Sequence, residues 1–422
     1  MTEIVTESEN RALLVGLVTP DNPEGECEAS LDELERLADT AEISPLARLC
    51  QTRAAPDPAT YVGKGKLEEA KAIIEANEIN TIIFDGELSP AQIKNIGDFL
   101  DGPEVIDRTM LILEIFEKHA HTSEGKLQVE IAQLRYTLPR LVGKGKAMSR
   151  LGGGGGGASG ARRGAGETKL EIERRNVKAR IAALEGEIKQ LGAARAQTRS
   201  RREKANIPGI AIAGYTNSGK STLLNHLTDA GILAEDKLFA TLDPTTRRLR
   251  LPNGSEVLLT DTVGLIRKLP HHLVQAFAST LDEIRYADII LLVSDISDPE
   301  HQSQLEVAKA LMAEMGAAEK PVITVHNKTD RIEIPEKEPG GVYISALTGE
   351  GIDGLLAEIQ KTLEELRKPV VFVFPAGGGE GYISHLYKNA AVSKVEYGED
   401  QVTVWASADE RTRNMYKKYI AR

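Results

Sequence analysis

Short apolar runs alternate with longer stretches whose apolar residues fall three and four apart along residues 10–122. Leu13–Val18, Leu46–Cys50, Thr81–Phe84 and Val105–Ile106 have the length and composition of strands, whereas Leu31–Ala41, Leu67–Ala76, Pro90–Leu100 and Thr109–His121 carry the helical period. Alternation of this kind predicts a parallel sheet flanked by helices. From Leu127 the pattern becomes a helical seam, Leu127, Ile131, Leu134 and Leu138. It resumes at Leu170, Val177, Ile181, Leu184, Ile188 and Leu191, with Arg174 filling one seam position. Two amphipathic helices that bury these stripes on each other form an antiparallel hairpin. Pro139 stops the first helix, and Gly152–Gly157 followed by Ala158 to Gly164 argues against regular structure, so a tip loop is expected over 139–166. Strand–helix alternation returns from Ile207 to about Arg367. The tail has strand-like Val370–Phe374 and Val402–Trp405, with helical stretches over Tyr382–Ala391 and Asp409–Tyr419. The expected architecture is α/β: an N-terminal parallel α/β domain (1–122), a long helical hairpin arm (123–206), a doubly wound domain (207–367) and a small α+β domain (368–422) packed on it.

The doubly wound domain opens on the chain's most informative stretch. Gly214-Tyr215-Thr216-Asn217-Ser218-Gly219-Lys220-Ser221 fits G-x-x-x-x-G-K-S, preceded by an apolar run and followed by a helical one. In this P-loop the backbone N–H groups wrap phosphates, Lys220 reaches the outer two, and Ser221 is placed to ligate Mg²⁺. Asp261-Thr262-Val263-Gly264 ends a second apolar run, which sets the Asp261 carboxylate toward the Mg²⁺ shell and the Gly264 N–H toward a γ-phosphate. Asn327-Lys328-Thr329-Asp330 ends a third. There a carboxylate accepts from the N1–H and exocyclic amine of guanine, a pattern adenine does not offer, which makes GTP the expected substrate and GDP the product. Ser345-Ala346-Leu347 is expected to close the base pocket from the far side.

Between Ser221 and Asp261 lies Phe239-Ala240-Thr241-Leu242-Asp243-Pro244-Thr245-Thr246, the expected switch I. One of its threonines should supply a hydroxyl to Mg²⁺, and spacing does not choose among Thr241, Thr245 and Thr246. After Gly264 comes Leu265, where other GTPases orient water with a glutamine. Leucine cannot polarise water. The catalytic group is therefore unassigned, and slow turnover in isolation is expected.

Composition narrows the setting. The 422 residues are 41% apolar, enough for several cores. Cys27 and Cys50 are too few for a disulfide framework, and no apolar run approaches a membrane span. A cytoplasmic, monomeric protein without membrane insertion is expected. Charge is unevenly spread: residues 135–204 hold 18 Lys or Arg against six Glu, a net of +12 in a chain of net −11, which leaves −23 elsewhere. An acidic protein with one basic arm suits a polyanion docked at one place. The glycine tract is edged by Arg140, Lys144, Lys146, Arg150, Arg162 and Arg163, with no acid until Glu167. Backbone without side chains, flanked by cations, can approach RNA phosphates closely, and these six are the candidate RNA contacts. Val62-Gly63-Lys64-Gly65-Lys66 and its near copy Val142-Gly143-Lys144-Gly145-Lys146 lack P-loop spacing and read as basic turns.

Together these strings resemble the HflX family of ribosome-associated GTPases along nearly the whole chain. The likeness is carried by Tyr61–Lys66, Leu138-Pro139-Arg140-Leu141, Ser149–Gly154, Gly166–Glu171 with Arg174-Arg175, and the P-loop. Phe239–Thr245, Asp261–Ile266 and Asn327–Asp330 complete it. The resemblance implies that Thr241 is the switch I magnesium ligand. It also implies binding to the large ribosomal subunit and its rRNA, with the arm reaching toward the peptidyl-transferase region, and GTP-dependent splitting of stalled or idle ribosomes, often under stress. The family's shorter glycine run with a Pro-Gly-Glu-Thr turn is replaced here by six glycines and Ala165-Gly166-Glu167-Thr168. The competing readings are a large-subunit assembly GTPase and a signalling switch without ribosome contact.

Overall fold

A computed structural model describes residues 10–141, 162–204, 207–228, 238–239, 241–270, 273, 278–332, 340–376 and 379–421. Contacts divide the chain into two compact units. One comprises Met1–Leu191, Glu235–Asp243 and Ile266–Ser279, and the other Gly192–Ala234, Pro244–Leu265 and Thr280–Arg422.

The first unit is built on strands β1 (Arg11–Val18), β2 (Ser44–Thr52), β3 (Thr81–Phe84) and β4 (Glu104–Asp107), all parallel in the order β2-β1-β3-β4. Helices α1 (Glu24–Thr40), α2 (Lys64–Asn77), α3 (Pro90–Leu100) and α4 (Arg108–His119) connect or follow them. The interior strands are apolar without alternation because both faces are covered; Ala12 to Val15 and Ile82 to Phe84 are buried throughout. Local sequence sets the helix starts. Ser89 and Gln92 form a reciprocal capping box ahead of Pro90, and the Asp107 carboxylate accepts from the Met110 N–H at 2.9 Å. Gly63 caps α2 and donates its N–H to Gln51 Oε1 at 2.7 Å, so the first Gly-Lys-Gly-Lys string is a helix start.

At the carboxyl ends of β1 and β3, where the connections leave in opposite directions, the unit buries a charged cluster. Arg108 meets Glu33 Oε1 at 2.5 Å and Asp85 Oδ1 at 3.1 Å, and Ser30 Oγ donates to both Asp85 oxygens. Lys268 completes it, donating to Asp85 Oδ2 at 2.5 Å and Ser30 Oγ at 2.8 Å. Such a site binds ligands in many open α/β sheets. Here the unit's own side chains fill it.

Glu114 on α4 gives this unit a pH dependence. Burial, with added repulsion from Glu104 and Glu117, pushes its carboxyl up to about 7, against the pull of Lys118. A folded-state value above the unfolded one means that the native state holds the extra proton. Stability should therefore fall as pH rises from about 4.5 to 7, by about 1–2 kcal/mol once partial solvent screening is allowed for. Glu114→Gln should flatten the decline, read as urea midpoints at pH 5 and pH 8; an unchanged slope would show that the carboxyl is ordinarily solvated.

Helix α5 (Ser123–Thr137) and the 43-residue α6 (Arg162–Lys204) correspond to the helical seam. Ile131, Ile181 and Leu184 are buried, and Glu130–Arg180 and Arg135–Glu185 pairs join the helices at 2.7 and 2.6 Å. The expected loop over 139–166 needs correction, because α6 already begins at Arg162 and includes Gly164 and Gly166. Each glycine costs about 1 kcal/mol in a helix, but elongation from a long run of good helix formers is cooperative and carries the helix through both. The glycine tract itself lies outside the described residues.

The second unit holds a six-stranded sheet in the order β10-β9-β8-β5-β7-β6: β5 (Gly209–Gly214), β6 (Thr245–Arg250), β7 (Glu256–Asp261), β8 (Ile289–Asp295), β9 (Val322–Asn327) and β10 (Gly341–Tyr343). All neighbours run parallel except the edge pair β6–β7. Helices α7 (Lys220–Thr228), α8 (Ala278–Tyr286), α9 (His301–Glu314) and α10 (Ile352–Glu365) complete the alternation. The tail adds an antiparallel sheet of β11 (Lys368–Pro375), β13 (Gln401–Ala408) and β12 (Ala391–Tyr397), with helices α11 (Gly379–Asn389) and α12 (Glu410–Met415). Phe372, Phe374 and Tyr416 form its aromatic core. Arg411 joins the tail to the larger sheet through Asp288 at 2.6 Å and the Ile207 carbonyl at 3.0 Å.

Candidate nucleotide site

Four strand ends converge on the site in the second unit. The buried strand β5 delivers the chain into the glycine loop, whose Gly214 and Gly219 have φ of +153° and +92°. A Cβ on Gly214 would run into the Val293 carbonyl and one on Gly219 into the Asn327 side chain, so both positions exclude other residues. Asn217 also lies in the left-handed region, at φ +60°. The loop closes onto α7, which starts at Lys220.

Lys220 is buried and donates from Nζ to the Tyr215 carbonyl at 2.8 Å. Desolvation lowers its pKa to about 8, with the Lys328 charge adding to the effect and Asp261 opposing it. A triphosphate would set anionic oxygens directly against this amine and oppose the desolvation. Thr216 Oγ1 and Ser218 Oγ are buried without a hydrogen-bond partner among the described residues, which leaves two oxygens of the loop available to a ligand. Ser221 Oγ donates to Asp261 Oδ2 at 2.7 Å, and Asp261 is fully buried at the end of β7. Two hard oxygen donors in contact are the set that Mg²⁺ prefers.

The segment after Asp261 is locked to the loop. Thr262 Oγ1 donates to the Ile212 carbonyl at 2.7 Å, Leu265 N–H to the Gly214 carbonyl at 3.0 Å, and Thr216 N–H to the Leu265 carbonyl at 2.9 Å. A Cβ on Gly264 would stand 2.7 Å from Thr216 Cγ2 and 3.3 Å from Lys220 Nζ, so glycine is required for this approach. Val263 and Leu265 are buried.

On the opposite side, Asn327 spans two loops. Its Nδ2 donates to the Ser218 carbonyl at 2.9 Å, and its Oδ1 accepts from the Ala346 N–H at 2.9 Å. Lys328, at φ +67°, donates to the Asn217 carbonyl at 2.8 Å and pairs with Asp295 at 2.6 Å. Ser345 Oγ donates to Asp330 Oδ1 at 2.5 Å, which fixes the carboxylate's direction, and Thr329 N–H reaches the Ile344 carbonyl at 3.2 Å. Ala346 is buried, whereas Leu347 is 75% exposed. Asp295 is a site residue that motif spacing does not mark; its signal in the sequence is an acid just after the apolar run Ile289–Val293.

The switch I residues divide. Thr245 and Thr246 belong to β6, and Thr246 Oγ1 lies 3.0 Å from Thr260 Oγ1, so both are committed to the sheet. Thr241 lies in irregular backbone, and Ala240 falls outside the described residues. Phe239, Leu242 and Asp243 are taken up inside the first unit. Phe239 meets Phe116 edge-on with centroids 4.7 Å apart, Leu242 is buried, and Asp243 binds the start of α5.

Of the candidate RNA contacts, Arg140 does not present its charge. Its guanidinium lies 3.3 Å over the Tyr136 ring, donates to the Tyr136 and Leu88 carbonyls at 2.7 Å each, and approaches Asp107 at 3.6 Å. The stacking partner four residues earlier and the buried carboxylate explain why it turns inward. Arg162 and Arg163 open α6, while Lys144, Lys146 and Arg150 lie outside the described residues. Among the described residues no helix is long and apolar enough to cross a membrane.

Comparison with known proteins places these features in one family. A family described as "GTP-binding GTPase N-terminal" matches residues 28–117, "GTP-binding GTPase Middle Region" matches 119–202, and "50S ribosome-binding GTPase" matches 209–328. The chain is 46% identical over 419 residues to the GTPase HflX of Caldanaerobacter subterraneus, covering 98% of this chain and 95% of that one. It is 40% identical to the GTPase HflX of Escherichia coli K12 over 380 residues, covering 88% and 87%. With a P-loop, an Asp261 strand end and an Asn-Lys-Thr-Asp loop in one doubly wound sheet, the protein is a GTP hydrolase, and the chain belongs to the HflX family of GTPases.

Proposed function

We propose that this GTPase binds the large ribosomal subunit and uses GTP binding and hydrolysis to split or recycle stalled or idle ribosomes. The observation that carries the reading is the pairing of a domain similar to 50S ribosome-binding GTPases with a segment, residues 135–204, of net charge +12 in an otherwise acidic chain. The segments 1–122, 123–206, 207–367 and 368–422 then act as an N-terminal domain, a basic arm, the GTPase and a small accessory domain.

In this reading Asp330 selects guanine, Ser345 orients that carboxylate, and Ala346 supports the base pocket through Asn327. The P-loop from Gly214 to Gly219 holds the phosphates, and Lys220 gains a direct anionic partner when they bind. Ser221 and Thr241 would hold Mg²⁺ beside Asp261, and the ion would neutralise charge between the β- and γ-phosphates. Leu265 offers water no hydrogen bond, so intrinsic turnover is slow and a bound ribosome raises it by ordering groups already present or adding one.

Sedimentation of 70S ribosomes with the protein and GTP, its non-hydrolysable analogue or GDP tests this reading. Splitting moves material from the 70S peak into free subunits, and neutralising Lys144, Lys146, Arg150, Arg162 and Arg163 abolishes that shift while intrinsic hydrolysis persists. Association confined to immature large subunits would instead make the protein an assembly factor. No co-sedimentation in any nucleotide state would remove the ribosome as partner.

A further inference from the structure

Switch I ends on a contact that nucleotide chemistry does not require. The Asp243 carboxylate accepts the His121 N–H at 2.9 Å and the Thr122 N–H at 2.8 Å, and the Thr122 hydroxyl donates to its other oxygen. Thr122 is itself the N-cap of α5, its Oγ accepting from the Gly125 N–H at 3.0 Å. Asp243 therefore adds to the Thr122 hydroxyl cap a second one, built on a carboxylate, with its negative charge at the positive end of the helix. Gly125 is part of the fit, since a Cβ there would strike Asp243 Oδ1. The neighbouring residues hold the same seat: Leu238 N–H reaches Thr40 Oγ1 at 3.3 Å, and Phe239 packs on Phe116. Lys268, three residues after Leu265, is seated in the same unit, in the buried Asp85 and Ser30 cluster.

We propose that Asp243 is a positioning residue that couples the state of the nucleotide to the root of α5. Thr241 lies two residues before it, a span of at most about 7 Å of extended chain. Pro244 follows and restricts Asp243 to extended backbone, so the segment has little slack. A threonine hydroxyl that moves toward or away from a γ-phosphate must carry Asp243 with it, tightening or breaking the double cap. Because binding couplings are reciprocal, whatever strains α5 must change the preference for GTP over GDP by the same factor. Helix α5 carries the ion pairs to α6, so the route leads from the phosphates into the basic arm. The inference uses the assignment of Thr241 to switch I but does not depend on the ribosome as partner.

Thr122→Asp separates this role from helix stability. Aspartate caps a helix as well as threonine does, so α5 stays folded, while two facing carboxylates expel Asp243. The ratio of GTP-analogue to GDP affinity, measured by titration on the full chain, should shift about five- to fiftyfold. Asp243→Ala should shift it in the same direction, and the double variant should go no further, as expected of two residues acting through one contact. Thr122→Ser should behave as wild type. In wild type, hydrogen exchange at the first turn of α5 should differ between the GTP-analogue and GDP forms, and in Thr122→Asp the difference should vanish. An unchanged affinity ratio in Thr122→Asp with α5 still folded, or additive shifts in the double variant, would overturn the coupling and leave Asp243 a helix cap only.

Discussion

Asp330→Asn lowers GTP affinity by about a hundredfold or more and makes xanthosine triphosphate a better ligand than GTP. The carboxylate is held by the Ser345 hydroxyl at 2.5 Å, so its acceptor direction is fixed before a base arrives. Asparagine presents an amide donor to guanine's N1–H and amine. Two charge-assisted hydrogen bonds are lost, at about 1.5–3 kcal/mol each, and a donor–donor clash is gained. Xanthine has a carbonyl where guanine has its amine and accepts from the new amide. Fluorescence titration with both nucleotides checks the exchange, and a variant that still prefers GTP would mean that another group reads the base.

Lys220→Ala should reduce GTP hydrolysis about a thousandfold, the scale on which loss of a preorganised charge at a developing anion is felt. The buried amine donates to the Tyr215 carbonyl and has its pKa lowered to about 8. Phosphates raise that pKa by pairing with it, so part of the triphosphate's binding energy is spent on reprotonation at alkaline pH. In wild type, GTP affinity measured between pH 7 and 9.5 should therefore decline above pH 8, and in Lys220→Ala the decline should disappear. Ser221→Ala should act through the metal instead, raising the Mg²⁺ concentration needed for half-maximal rate. Equal turnover of both variants and wild type would show that this loop is not the active site.

The helices and interior strands of the parallel sheets were legible because burial on both faces leaves uninterrupted apolar runs, as at Leu13–Val18 and Thr81–Phe84. Two half-exposed strands, β6 and β12, were not. In β6, Thr-Thr-Arg-Arg-Leu-Arg buries only Leu249, and in β12 the residues between Val392 and Val395 are shifted by an irregular register, which hides the two-residue period. Gly164 and Gly166 pointed to a loop where the length of the following helix prevailed. In the nucleotide loops, residue types and spacing carried chemistry to named positions. Spacing did not reveal that Asn327 bridges Ser218 to Ala346, or that Arg140 folds back on Tyr136. Both depend on side-chain direction after folding, and a one-dimensional pattern holds no record of it.

Helix α6 also has a mechanical meaning. Among its described side chains the buried ones are Ile181 and Leu184, whereas its first residue is Arg162. The intervening turns extend about 28 Å at 1.5 Å per residue. A tilt of roughly 10° about that fulcrum would sweep the first turn of α6 through about 5 Å, so a displacement of a fraction of an ångström near the pivot would emerge at the far end magnified about tenfold.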